Sequence, residues 1–231
     1  GVVRSIHTEP RTETMYNLTV EEAHTFFVGA GQWLVHNECK PIVANGRTLF
    51  VGEGDYSLAL SIAKQVDEDQ RRLLVASGYS NGLEATGRGF QTYLDNIEQL
   101  HQLSVRVASG VDATKLKGEF FNELFDTIIF HFPNSRNGLE VDRQLLQNFF
   151  RSANDVLAPN GRVIVAHSTN PHYNRWGIAQ RAKPYFSNAS SITIAPFDAY
   201  TQHFPGYGHI RTDSTSVFPV IPGVRVWTFR R

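Results

Sequence analysis

The sequence predicts an α/β fold: a seven-stranded, mostly parallel sheet with helices on both faces, preceded by a short β-hairpin. Three observations predict it. Apolar strand-like runs alternate with helical patterns from residue 47 onward, a glycine turn (VGEGDYS, residues 51–57) joins the first of these strands to the first helix, and the last two strand-like runs have no helical pattern between them. Strands that alternate with helices form parallel sheets, because each crossover lays a helix against the sheet. Where the last crossover is missing, the final strand is expected to pair antiparallel.

The elements follow in order. Residues 15–20 (MYNLTV) and 25–28 (TFFV) are short β-like runs, and Gly29-Ala30-Gly31 makes a hairpin-type link to residues 32–35. Strand-like runs then occupy residues 47–51, 72–77, 105–111, 126–132, 162–167, 192–197 and 224–229. Helical patterns over 58–66, 83–103 and 144–156 separate the earlier ones. In the last helix Leu145, Leu146, Phe149, Phe150, Ala153 and Val156 form one apolar stripe, and Pro159-Asn160-Gly161 stops it. Such stripes are core.

Composition bounds the function. With 231 residues and a hydrophobic share of 41%, the chain has enough apolar surface for a sizeable core. Basic and acidic residues number 22 each, so no global charge drives it toward nucleic acid or a membrane. The acidic surplus sits in residues 1–38, which hold Glu9, Glu13, Glu21, Glu22 and Glu38 against Arg4 and Arg11. Residues 39–231 therefore carry a mild basic excess that permits RNA binding. One cysteine, Cys39, excludes an internal disulfide, and no zinc spacing occurs, so no metal is expected. No apolar run is long enough to span a bilayer. Opening on Gly1 with the only methionine at Met15, the chain is expected to be part of a longer protein.

The glycine turn carries the first chemical signal. Leu58, Ile62, Ala63 and Val66 recur at helical spacing, so Gly52 and Gly54 fall at a strand-to-helix junction, where open α/β sheets bind ligands. Glycine admits close backbone approach, and the helix N-terminus offers unpaired N–H groups and a positive dipole end. The third glycine of a dinucleotide fingerprint is missing. Glu53 and Asp55 would repel a pyrophosphate but suit a cationic ligand such as the aminoacyl sulfonium end of S-adenosyl-L-methionine. A two-glycine turn is also common as plain structural punctuation.

Two family resemblances sharpen this reading. The stretch YNLTVEEAHTFFVGAGQWLVHN, Tyr16 to Asn37, resembles the C-terminal end of intein-like Hint (pretoxin) domains that precede toxin domains in large bacterial secreted proteins. The resemblance implies that Asn37 cyclises and cuts the precursor, assisted by His36 and His24. Glu38 stands where ligating inteins need Ser, Thr or Cys, so cleavage without ligation is expected. The alternative is a hairpin linker with incidental histidines. Domain boundaries follow: residues 1–38 as the remnant and 39–231 as the second domain.

In the second segment the runs LFVGEGDYSLALSIA, GVDATKL, FDTIIFHFPNS, NPHYNRWGIAQRA and FPGYGHIRT resemble, in order and spacing, the class I (Rossmann-like) methyltransferases of the large-subunit rRNA uridine-N3 type. The resemblance implies S-adenosyl-L-methionine as cofactor, bound by Gly52, Glu53, Gly54, Asp55 and Ser57, with Ser77 and Asp112 at the ends of the next two strands. Asp112 reads equally well as a turn cap. No carboxylate follows the second strand, where the sequence reads VASGYSN, so the ribose contact stays unassigned. The acceptor site is expected at His131, Phe132, Pro133 and Asn134, where the family pattern is closer to NFPH. Phe132 and Pro133 would stack a flipped base and His131 would serve as general base, or else as a satisfied strand-end histidine. Tyr173, Trp176 and Tyr207 would form the opposite wall, with Arg211 on phosphate; simple loop packing is the alternative for the aromatics.

Joined, the two resemblances imply the toxin domain of a bacterial polymorphic secreted protein. It would be delivered into a competitor's cytoplasm, methylate RNA (rRNA or tRNA) there and block translation, with a cognate immunity protein as partner and no membrane or metal role. Other acceptors, protein or small molecule, a nucleotide-consuming toxin and a non-enzymatic binding module on the same scaffold remain competing readings.

Overall fold

The computed structural model describes residues 25–28, 33–36, 40–79, 88–135, 137–208 and 221–231. The chain divides into two compact units, residues 1–40 and 41–231. In the first, strands β1 (Thr25–Val28) and β2 (Trp33–His36) pair antiparallel, with Thr25 opposite His36 and Val28 opposite Trp33.

In the second unit a seven-stranded sheet is built from β3 (Thr48–Val51), β4 (Leu74–Gly78), β5 (Arg106–Ser109), β6 (Phe125–His131), β7 (Leu157–Ser168), β8 (Asn188–Ile194) and β9 (Val224–Arg230). Their spatial order is β5-β4-β3-β6-β7-β9-β8. All neighbours up to β7 are parallel, while β9 runs antiparallel to both β7 and β8. The order reverses between β3 and β6, so the ligand crevice of such a sheet lies beyond the C-terminal ends of these two strands.

The alternation of side chains along each strand sorts the core into two layers. Leu49 and Val51 of β3, Ile128 and Phe130 of β6, and Val163 and Val165 of β7 face one way. There they meet α4 (Leu116–Glu119), α5 (Leu139–Val156) and α7 (Ile178–Ala182). Phe50, Ile129, Ile164 and Ala166 face the other way, onto α1 (Ser57–Gln65), α3 (Arg88–Gln102) and α8 (Phe197–Thr201). Two short helices, α2 (Glu68–Arg71) and α6 (Pro171–Asn174), complete the set among the described residues.

Three expectations change in detail. A short helix, α8, does lie between β8 and β9; its five residues are too few to show a helical period in the sequence. The strand expected over 192–197 begins at Asn188 and ends at Ile194, and Phe197 starts α8. Helix α5 begins at Leu139, before the apolar stripe, because buried Asp142 accepts hydrogen bonds from the N–H and hydroxyl of Ser135, both 2.7 Å, and ties the first turn to the loop after β6.

Candidate functional site

The glycine turn folds as the sequence requires. Gly52 takes φ +69°, and a Cβ there would stand 2.5 Å from the ring of Phe130. Both the backbone sign and the space exclude a side chain. Gly54 is exposed at the apex of the turn, while Glu53, Asp55, Tyr56 and Ser57 around it are buried. Tyr56 enters α1 at φ +61°, and its ring lies under Gly78, whose Cβ would come within 2.8 Å of the phenol oxygen.

Here the structure corrects one expectation. The amides at the start of α1 are not open to a ligand: Glu53 Oε2 accepts the Ala59 N–H at 3.2 Å, so the protein supplies its own carboxylate to the helix terminus. Burial nevertheless pushes the Glu53 carboxyl up to about 8, against the hydrogen bonds that lower it and with the charge of Asp55 adding to the rise. Asp55 is different. Its Oδ1 accepts the Ser57 N–H at 3.1 Å and hydroxyl at 2.7 Å, and its carbonyl accepts the buried Asn96 side-chain amide at 2.7 Å. Among the described residues its Oδ2 is buried without a hydrogen-bond partner. Burial raises this carboxyl too. An orphaned carboxylate oxygen beside an exposed glycine fits a cationic ligand, the ammonium or sulfonium of S-adenosyl-L-methionine included.

The other strand ends contribute less. Ser77 is wholly buried, and its hydroxyl donates to the Phe50 carbonyl at 2.7 Å, so the expected ligand contact is replaced by a strap between β3 and β4. Asp112 Oδ1 accepts the Thr114 N–H and hydroxyl at 2.9 and 2.7 Å, and Lys115 Nζ lies 3.1 Å from Oδ2. Partial burial alone would raise this carboxyl; the bonds from Thr114 and Lys115 outweigh it and leave it lowered. Both oxygens serve the turn, the capping alternative.

The HFPN segment ends β6 in a strained conformation. Phe132 has φ +50° immediately before Pro133, and its N–H donates to the Ala166 carbonyl at 2.8 Å. A bulky residue at positive φ costs on the order of 1–3 kcal/mol and is tolerated where the surroundings impose it. Pro133 is buried and Asn134 exposed. His131 Nε2 lies 2.8 Å from the hydroxyl of Tyr200, a fully buried residue of α8. The rings of Phe132 and Tyr207 meet His131 edge-on, with centroids at 4.6 and 5.1 Å. Tyr207 is carried by the FPGYG turn, in which its N–H donates to the Phe204 carbonyl at 2.9 Å; the neighbouring Gly208 carbonyl lies 3.4 Å from Ser57 Oγ. Burial and the charges of Tyr200, Glu53 and Asp55 hold the Tyr207 phenol well above its ordinary range. Tyr207, His131 and the glycine turn thus converge on the β3–β6 crevice.

Tyr173 and Trp176 do not join them. Trp176 is 1% exposed and packs in the layer with α5 and α7, on the opposite side of the sheet from Tyr207 and Tyr200. Tyr173 meets it edge-on at 4.7 Å. Of the expected substrate wall, Trp176 is therefore core and Tyr173 packs half-buried against it. Arg211, His24 and Asn37 lie outside the described residues, and His36 is described only as the last residue of β2. No group of three or more potential metal ligands occurs among the described residues.

Two residues missed in the sequence left faint signals. Asn96 interrupts the stripe Tyr93, Ile97, Leu100 of α3 with a buried amide, and Asp142 does the same in α5. Tyr200 left none.

The family comparison decides the membership of this fold. The model of the BMT5-like family, described as rRNA (uridine-N3-)-methyltransferase, matches residues 49–211, well over half of the chain. The chain belongs to this family. Among its relatives, the 25S rRNA (uridine(2634)-N(3))-methyltransferase of Saccharomyces cerevisiae is 23% identical over 92% of this chain and 80% of its own length. The heavy metal-associated isoprenylated plant protein 41 of Arabidopsis thaliana is 28% identical over 74% of this chain. The chain spans only 34% of that plant protein. A predicted O-methyltransferase from Agrobacterium tumefaciens, 14% identical, superposes with a TM-score of 0.52 over 83% of this chain and 77% of its own. It supports the class I methyltransferase fold.

Proposed function

We propose that this chain is an S-adenosyl-L-methionine-dependent methyltransferase that acts on RNA, with a uridine ring nitrogen as acceptor. The observation that carries the reading is the juxtaposition at the β3–β6 crevice. On one side stand the exposed Gly54 and the buried Oδ2 of Asp55, which has no hydrogen-bond partner among the described residues. On the other stand His131, the strained Phe132 and Tyr207. Family membership supports the substrate class.

The bound cofactor would supply a methyl group on a cationic sulfur, which an acceptor nitrogen takes by in-line displacement. The residues contribute placement. Asp55 holds positive charge near the turn, Glu53 fixes the first turn of α1, and Phe132 with Tyr207 offers aromatic surface for an extruded base. Water exclusion by the aromatic walls and orientation of the two reactants supply the acceleration. Incubating the protein with methyl-labelled S-adenosyl-L-methionine and total RNA should label RNA, and digestion should yield N3-methyluridine. Label found only in protein or DNA would defeat the proposal.

A second reading concerns delivery, and the match of residues 16–37 to the end of Hint domains motivates it. In this reading the domain is a bacterial secreted toxin, released by cleavage at Asn37, acting in a competitor's cytoplasm, and neutralised at home by an immunity protein. The relatives named above include plant and yeast proteins, so this rests on the N-terminal match alone. Mass spectrometry of a longer precursor and of its Asn37→Ala form tests it; equal processing of the two would overturn it.

A further inference from the structure

The contact between Tyr200 and His131 determines where His131 carries its proton. Tyr200 is wholly buried, and its hydroxyl has one hydrogen-bond partner among the described residues, His131 Nε2 at 2.8 Å. A buried hydroxyl that failed to donate would cost about 1–3 kcal/mol. The phenol therefore donates, and Nε2 accepts through its lone pair. A neutral imidazole has one lone pair and one N–H, so the proton resides on Nδ1. Burial and the nearby Glu53 carboxyl hold the Tyr200 phenol well above its ordinary range, so it keeps its proton at neutral pH. Stacking on Phe197, 6.2 Å between centroids at 25°, and contact with Phe204 at 5.1 Å fix the phenol's direction.

We propose that Tyr200 is a positioning residue that locks His131 in its Nδ1–H form, so that His131 serves methyl transfer as a hydrogen-bond donor and not as a general base. This rests on the RNA methyl-transfer reading above and replaces the expectation that His131 takes the acceptor's proton. With the Nε2 lone pair given to Tyr200 and Nδ1 protonated, the ring has no lone pair left to accept one. A donor suits a uridine acceptor. Once the ring nitrogen has given its proton to solvent water, the negative charge spreads to the flanking carbonyl oxygens, and a fixed N–H beside one of them stabilises that charge until the nitrogen takes the methyl and the sulfur keeps the electron pair as a neutral thioether. No bond of the transferred methyl passes through His131.

The test has a spectroscopic arm and a kinetic arm. In the full chain with ¹⁵N-labelled histidine, the Nδ1 signal of His131 should be that of a protonated nitrogen and Nε2 that of an acceptor. Tyr200→Phe keeps the ring and removes the donor; it should convert His131 toward the Nε2–H form while circular dichroism and S-adenosyl-L-methionine affinity stay unchanged. Single-turnover methylation should fall about tenfold or more, since a wrongly protonated imidazole is a costly defect. His131→Asn, whose amide N–H falls close to the Nδ1 position, should retain more activity than His131→Gln or His131→Ala. An Nε2–H signal in the native protein, an unchanged rate in Tyr200→Phe, or a His131→Asn form as inactive as His131→Ala would each overturn the proposal. The nitrogen signals need no RNA, so this arm can fail while RNA labelling succeeds, and the reverse.

Discussion

Two histidines sit near the ends of adjacent parallel strands, and their surroundings differ. His131 closes β6 half-buried, beside a residue at φ +50° and with its Nε2 2.8 Å from the Tyr200 hydroxyl. His167 is the penultimate residue of β7, 3% exposed, with Nδ1 2.7 Å from the Ser168 carbonyl and Nε2 accepting the Trp227 indole N–H at 3.1 Å. Both nitrogens of His167 thus serve the sheet, and burial, partly opposed by the Ser168 bond, drives it down to about 4. The same residue type becomes a strut in one place and part of the proposed acceptor crevice in the other. The two differ in the layer each faces: His167 turns toward Tyr173 and the α5 side, His131 toward Tyr200, Tyr207 and the glycine turn.

If that contrast holds, damage to the two layers should separate. Trp176→Ala should remove about 3–5 kcal/mol of stability, read by denaturant unfolding, because a fully buried indole leaves a cavity. Its folded fraction should still bind S-adenosyl-L-methionine with near-native affinity; a large loss of affinity would return Trp176 to the ligand site. Asp55→Asn should show the converse, roughly ten- to hundredfold weaker cofactor binding by calorimetry, since it removes a charge-assisted contact. Little loss of affinity would assign Asp55 a purely structural role.

The pH dependence sharpens the comparison through opposite signs. The folded pKa of His167 is depressed to about 4 from an ordinary 6.5, so the unfolded chain binds its proton first as pH falls. Its contribution is fully present above pH 6.5 and is lost toward pH 4, about 3 kcal/mol in all. His167→Gln should flatten the acid limb of stability measured by urea unfolding over that window. Glu53 behaves inversely, with a folded pKa raised from 4.5 to about 8. Its contribution is fully present below pH 4.5 and is lost as pH rises to about 8, and Glu53→Gln should level that decline. Cofactor binding at neutral pH should also release protons, as a cation favours ionised carboxyls at the turn; calorimetry in buffers of different ionisation enthalpy reads this directly. Gly52→Ala, which meets both a φ of +69° and the Phe130 ring, should cost at least about 1–3 kcal/mol of stability by denaturant unfolding.

Much of the architecture was legible because periodicity reports burial. Seven strand runs and the parallel order of the first five follow from alternation in the chain; the antiparallel last strand was expected from a missing helix whose place α8 in fact takes. The glycine turn was legible because Gly52 has a backbone sign that few other residues accept. Burial of Ser77, Asp112's self-contained turn and the placement of Trp176 were not, since a serine, an aspartate or a tryptophan near a strand end reads the same whether it faces a ligand or the core. Tyr200 is 69 residues from His131 along the chain, and nothing local in either segment announces the pair.

The layered α/β scaffold and the glycine junction at the end of β3 depend on short-range rules of periodicity and backbone sign, so the chain's local pattern suffices for them. Which layer each polar or aromatic side chain enters is set by the assembled fold. That decision depends on strand order and long-range packing, which bring Tyr200 and the 204–208 turn onto the end of β6 and leave Trp176 behind the sheet. Whether a buried oxygen is satisfied or orphaned, as at Asp55, is likewise a property of the neighbours that folding assembles.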